Sequence, residues 1–200
     1  MARMAADPTL DVSLRSLAIW ALGRQKTDKA RRPLLAALAD PDVSIRREAA
    51  QSLGALGARR ATGRLIQVLR ADPDSSVREF AAYGLGGLGG PKAIAALREV
   101  LANQSEATRV RGMAAETLAM CFAFEAIPDL IAALKDKSPA VRFWSVYALG
   151  FLRAEPALSE LEHLASSDDA LVPGWWSVAK EAVDSIAMIR SDPWGRSKRR

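Results

Sequence analysis

One phrase is written twice in this chain, 32 residues apart. Residues 40–57 read DPDVSIRREAAQSLGALG and residues 72–89 read DPDSSVREFAAYGLGGLG, identical at 11 of 18 positions. The arginine of the phrase recurs, always after an apolar residue, at Arg15, Arg46, Arg78, Arg111 and Arg142, at intervals of 31, 32, 33 and 31 residues. A sixth copy, VAKEAVDSIAMI at 178–189, carries Ala179 in the arginine slot after an interval of 37, the extra residues falling around ALVPGWW at 170–176. A period fixed near 32 describes a stack of like units, each burying its apolar face only against its neighbours. Residues 1–190 therefore read as one solenoid domain, and residues 191–200 as a flexible basic tail.

Within each unit, apolar or small residues stand one position before the arginine and three, four and seven after it. That spacing is one face of a helix. Asp-Pro at 7–8, 40–41 and 72–73 supplies a turn and a helix start, and Gly57 and Gly89–Gly90 end the helix. Gly23, Gly54, Gly86 and Gly150 recur eight positions after the arginine and predict close approach of a neighbouring helix. A second, shorter apolar segment follows each time: 33–38, 63–69, 91–101, 127–134 and 156–164. Prolines 33, 91, 128 and 156 fall near its first turn, where a missing N–H costs least. The unit is a helical hairpin and the expected fold is all-α. By this reading the chain opens directly on a phrase-type helix with no partner before it, leaving an uncapped N-terminal helix for homodimeric or end-to-end contact.

The order of elements resembles the HEAT-like repeat family, in particular the short-repeat kind found in phycobilin lyases and many bacterial proteins. The matching features are proline in the first helix, aspartate in the turn, and Val/Ile-Arg opening the second helix before Ala-Ala-x-x-Leu-Gly, over roughly residues 7–190. The resemblance implies a right-handed α-solenoid (an α-α superhelix) of about six hairpins. It also implies that Arg15, Arg46, Arg78, Arg111 and Arg142 are structural, bonded in a ladder between repeats to turn aspartates drawn from Asp40, Asp42, Asp72, Asp74 and Asp136. Some relatives bind iron through His-Glu pairs; that pattern is absent here.

The face of the second helix opposite the core should be polar if it only met water. Instead it carries Trp20, Phe80, Tyr83, Met113, Glu116, Trp144, Tyr147 and Phe151, flanked by Phe143, so seven of the 12 aromatics gather on or beside one stripe. Exposed aromatic patches of this extent mark binding surfaces. The expected function is a non-catalytic protein- or peptide-binding scaffold or adaptor, with a concave groove as its site and no cofactor. Two alternatives come from the resemblance: a nucleic-acid-binding protein, and a subunit of a phycobilin-lyase-type enzyme.

Charge bears on the first alternative. The net charge is +5, but Arg196, Lys198, Arg199 and Arg200 supply four of those charges within the last five residues. In the stripe, Glu48, Glu79, Glu116, Glu181 and Asp184 outnumber Arg24, Arg47 and Lys180, which disfavours a phosphate backbone. GLGGLG at 84–89 fits a dinucleotide pattern but closes a helix instead of opening one after a strand. His163 is the only histidine and Cys121 the only cysteine, too few for a zinc site or a nucleophile–base pair. Cys121 reads as a small buried residue and His163 as a surface one. A lone cysteine fits a reducing cytoplasm, and the opening MARMAADPTL carries no apolar leader. Glu160/Glu162 and Asp168/Asp169 read as carboxylates on exposed helix and loop. Trp175 and Trp176 read as a lid over the final hairpin, with Trp194 pinning the tail.

Overall fold

The computed structural model describes residues 1–25 and 27–191. Lys26 and residues 192–200 lie outside the described residues, and with them Trp194 and all of the basic tail except Ser191. Six first-row helices alternate with six second-row helices. The first row is α1 (Ala2–Ala6), α3 (Arg31–Ala37), α5 (Thr62–Ala71), α7 (Pro91–Ala102), α9 (Ile127–Ala133) and α11 (Leu158–Ser167). The second row is α2 (Val12–Gly23), α4 (Val43–Leu56), α6 (Ser75–Leu88), α8 (Thr108–Met120), α10 (Pro139–Phe151) and α12 (Val178–Arg190). Each pair is a hairpin, and the six stack into an α-solenoid. Among the described residues no strand occurs; the only β feature is one antiparallel bridge between Leu171 and Ser177.

The repeated apolar slots meet in one continuous core. Ile45 and Leu53 of α4, Val77 and Leu85 of α6, Val110 and Leu118 of α8, and Val141 and Leu149 of α10 are fully buried. Leu34, Leu65, Leu97, Leu130 and Leu161 face them from the first row. Each such side chain contributes about 1.5–3 kcal/mol by leaving water. The N-terminal end differs from the sequence expectation. The short helix α1 packs on α2, buries Ala5, and its Ala5 carbonyl accepts from Arg15 Nε at 3.3 Å. The first phrase helix thus has a partner and is not uncapped; five residues are too few to carry a periodic signal.

The arginines of the phrase cross-link successive repeats. Arg15 pairs with Asp40, and Arg46 forks onto Asp72 through Nε (2.8 Å) and Nη2 (3.1 Å). Arg111 forks onto Asp136, the most deeply buried pair of the series. Two partners differ from the expected turn aspartates. Arg78 bonds Glu106 at 2.7 and 3.0 Å, because the turn NQSEA at 103–107 offers no aspartate. Arg142 bonds Asp168 at 2.6 and 2.9 Å, so this residue is a ladder partner and not a surface carboxylate. Asp42 and Asp74 are not in the ladder. Their side chains accept from the backbone N–H of Ser44 and Ser76 and cap α4 and α6.

The helices α4 and α6 approach each other backbone to backbone. A Cβ placed on Gly84 would lie 2.4 Å from the Ala50 carbonyl oxygen, and one on Gly87 would lie 2.5 Å from that of Gly54. These neighbours are backbone and cannot swing aside. Gly84→Ala should therefore lower stability by about 1–3 kcal/mol. Gly63→Ala, where nothing stands within 4 Å, should be neutral or stabilising by up to about 1 kcal/mol. Urea midpoints of the two variants check this; equal midpoints would contradict the packing described.

Candidate functional site

Successive second-row helices pack on one another along their length, while successive first-row helices touch at only a few positions. The stack therefore curves with the second row inside. The inner wall is the face on which the aromatic stripe lies.

Burial separates the stripe into groups. Trp20 stands alone near the N-terminal end and is exposed, as are Tyr83 on α6 and Phe151 on α10. Phe80, Met113 and Trp144 are half-buried against the core, and Tyr147 and Glu116 are half-buried as well. Phe143, expected beside the stripe, is only 1% exposed and supports it from the core beneath instead of offering a surface. Its ring forms the floor beneath three indoles, 5.3 Å from Trp144, 5.8 Å from Trp175 and 6.1 Å from Trp176.

Trp176 lies against α12 of the last hairpin, and both Trp175 and Trp176 also reach α10 of the hairpin before it. The loop 168–177 folds back along the inner wall, so that Trp175 meets Trp144 edge-on at 5.1 Å. Trp176 Nε1 donates to Glu181 on α12 at 2.8 Å. The loop is held by the backbone N–H of Val178 donating to Ala170 and that of Ala179 to Asp168. Trp144 fits beside α8 because Gly112 has no side chain; a Cβ there would stand 3.0 Å from the indole. The result is a pocket of about 380 Å³, walled by Trp144, Tyr147, Trp175 and Trp176 with Glu116 and Glu181 among them. Trp175 and Trp176 are 50% and 44% exposed. Of the residues expected from the sequence, Glu116, Trp144 and Tyr147 converge in this pocket and Phe143 floors it. Trp20, Phe80, Tyr83, Met113 and Phe151 stand outside its lining.

Phe122 and Phe124 extend the apolar surface past the end of α8; both are more than half exposed, and Phe122 lies 5.4 Å from Phe151. Phe122 adopts a left-handed backbone (φ 52°) at the slot where two earlier repeats place Gly57 and Gly89. A bulky residue in a glycine slot is the sequence signal that could have found it.

The carboxylates of this wall are poorly solvated. Burial pushes the Glu116 carboxyl above the usual range, and repulsion from Glu79 adds to it. Glu181 is raised by burial with Asp184 adding, against the bond from Trp176 and the nearby Lys180 ammonium. The Tyr147 phenol is raised by burial, then by Glu116 and Glu181. Cys121 is half-buried, its thiol pKa raised by burial, and His163 is exposed on α11. Among the described residues no three His, Cys, Asp or Glu side chains are gathered as metal ligands, and no helix is long and apolar enough to cross a membrane.

Two rows of short helices, cross-linked by arginine–carboxylate pairs and curved around an inner wall, define a helical-repeat scaffold. The chain belongs to the HEAT-repeat family, whose model matches residues 4–65, 62–121 and 110–176. It is similar to a chain of the complex of CpcE and CpcF of phycocyanin lyase from Nostoc sp. PCC7120. The two are 30% identical with a TM-score of 0.64, covering 84% of this chain and 71% of that one. Human deoxyhypusine hydroxylase shares the fold at 18% identity and a TM-score of 0.53, covering 94% of each chain. A designed armadillo repeat protein shares it at 16% identity and a TM-score of 0.51, covering 94% of this chain and 98% of that one. No curated protein matches the sequence.

Proposed function

We propose that the protein is a non-catalytic scaffold that holds a peptide segment of a protein partner along its inner wall. The contacts would centre on the pocket of Trp144, Tyr147, Trp175 and Trp176, with Tyr83 and Phe151 extending them. The observation that carries this reading is the pocket itself: indoles left about half exposed, on a rigid curved wall, around a cavity of about 380 Å³. Aromatic anchors in partly formed pockets are what interface hot spots are made of. The desolvated glutamates disfavour a nucleic acid, whose backbone needs positive charge.

The test is selection from a random peptide-display library on the wild-type protein and on Trp175→Ala. Selected peptides should bind the wild type at least tenfold more tightly than the variant, at equal melting temperature. Peptides indifferent to Trp175 and Tyr83 would overturn the reading.

A second reading, a subunit of a phycobilin-lyase-type enzyme, is favoured by one observation, the 30% identity to a chain of the phycocyanin lyase complex. An absorbance titration with a free linear tetrapyrrole separates the two. The scaffold reading expects no saturable spectral shift, and a stoichiometric one would replace it.

A further inference from the structure

Three aromatic faces of the inner wall already carry a cation of the chain itself. The Arg24 guanidinium lies 4.7 Å from the Trp20 ring centre, that of Arg47 5.1 Å from Phe80, and the Lys180 ammonium 5.8 Å from Trp176. The three rings beside Trp176 in the pocket have none. Trp144, Tyr147 and Trp175 stand edge to face at 5.1 and 5.7 Å, and no cation of the described residues lies over their rings. Glu116 opens onto the same cavity and forms no ion pair among the described residues. Glu181 is only 4% exposed and satisfied by a neutral indole N–H; Lys180 is taken up by Asp184.

We propose that this pocket takes the guanidinium of an arginine side chain presented by an extended segment of the partner, an inference that rests on the scaffold reading above. The pocket offers three aromatic faces free of a cation and two carboxylates that form no ion pair among the described residues, Lys180 at its edge being held by Asp184, so its complement is a positive, flat, stem-borne group. Guanidinium suits it better than ammonium: it is planar, stacks on indoles, forks onto carboxylates and gives up its hydration more readily. Glutamates held short of water, at a cost to their ionised form, gain most from such a partner.

The probe is a synthetic peptide, acetyl-GSGRGSG-amide, against the same peptide with citrulline, the neutral isostere, in place of arginine. The indole N–H resonances of Trp175 and Trp176 are followed by NMR. The arginine peptide should shift both saturably, with the citrulline peptide at least tenfold weaker. Glu116→Gln should weaken the arginine peptide at least fivefold while leaving the melting temperature at pH 7 unchanged or raised. Equal affinity for both peptides, no shift with either, or an unaffected Glu116→Gln would overturn the assignment. If library selection nevertheless yields non-basic peptides dependent on Trp175, the scaffold reading stands and the arginine alone falls.

Discussion

Arg111→Ala is expected to destabilise the fold by about 3–5 kcal/mol, the range for breaking a buried ion pair from one side. For a chain of this size that is a fall in Tm of about 6–20 °C. The side chains of Arg111 and Asp136 are only 5% and 1% exposed, and the guanidinium reaches both carboxylate oxygens. Once it is gone, Asp136 keeps the N–H of Ser138 at 2.9 Å and Gln104 Nε2 at 3.0 Å but no opposite charge. The pH dependence carries the signature. In the intact protein burial alone would raise the Asp136 pKa, but the bonds from Arg111, Ser138 and Gln104 outweigh it and hold it below the usual range. A depressed folded pKa adds stability above the unfolded value, lost as pH falls through the folded one. Without the arginine the carboxylate loses its largest lowering partner while burial still raises it, so the variant's deficit should narrow on acidification from pH 7 towards about 4. Arg111→Met combined with Asp136→Asn removes both charges, keeps an amide oxygen to accept from the Ser138 N–H, and lets Gln104 turn its amide so that Oε1 accepts from the new NH2; it should recover part of the loss. Thermal melts at pH 7 and pH 4.5 decide it; a loss under about 1 kcal/mol at pH 7 would mean that the ladder does not hold the repeats together.

Phe143→Ala should cost about as much, 3–5 kcal/mol, through the cavity left in the core. It should also do something that Leu149→Ala does not. The Phe143 ring supports Trp175 and Trp176, so its removal releases the loop 168–177. The folded variant, well below its Tm, should show red-shifted tryptophan emission, while Leu149→Ala melts early with an unchanged spectrum. A small stability loss without spectral change would put Phe143 outside the core.

The period, the two helix rows and the core slots were legible because the stack imposes the same burial on every copy. Departures from the period were not. In DPD at 40–42 and 72–74 the first aspartate bridges repeats and the second caps a helix, and no local pattern tells them apart. Glu106 takes the place of the turn aspartate in NQSEA, and Asp168 sits beside an equivalent-looking Asp169. Phe143 follows its arginine at a slot held elsewhere by Ser16, Arg47, Glu79, Gly112 and Lys180, so the repeat gives no reason to bury it. Trp175 and Trp176 lie in an insertion with no counterpart in the other repeats, and only the folded chain shows the loop turning along the wall.

The proposed site for a partner is the inner wall of α8, α10, α12 and the loop 168–177. Hydrogen–deuterium exchange with and without a library-selected peptide tests that most directly. The expected result is slowed exchange in the loop 168–177 and the N-terminal turns of α10 and α12, with α7, α9 and α11 unchanged. Slowed exchange confined to those first-row helices, with the loop unaffected, would contradict it.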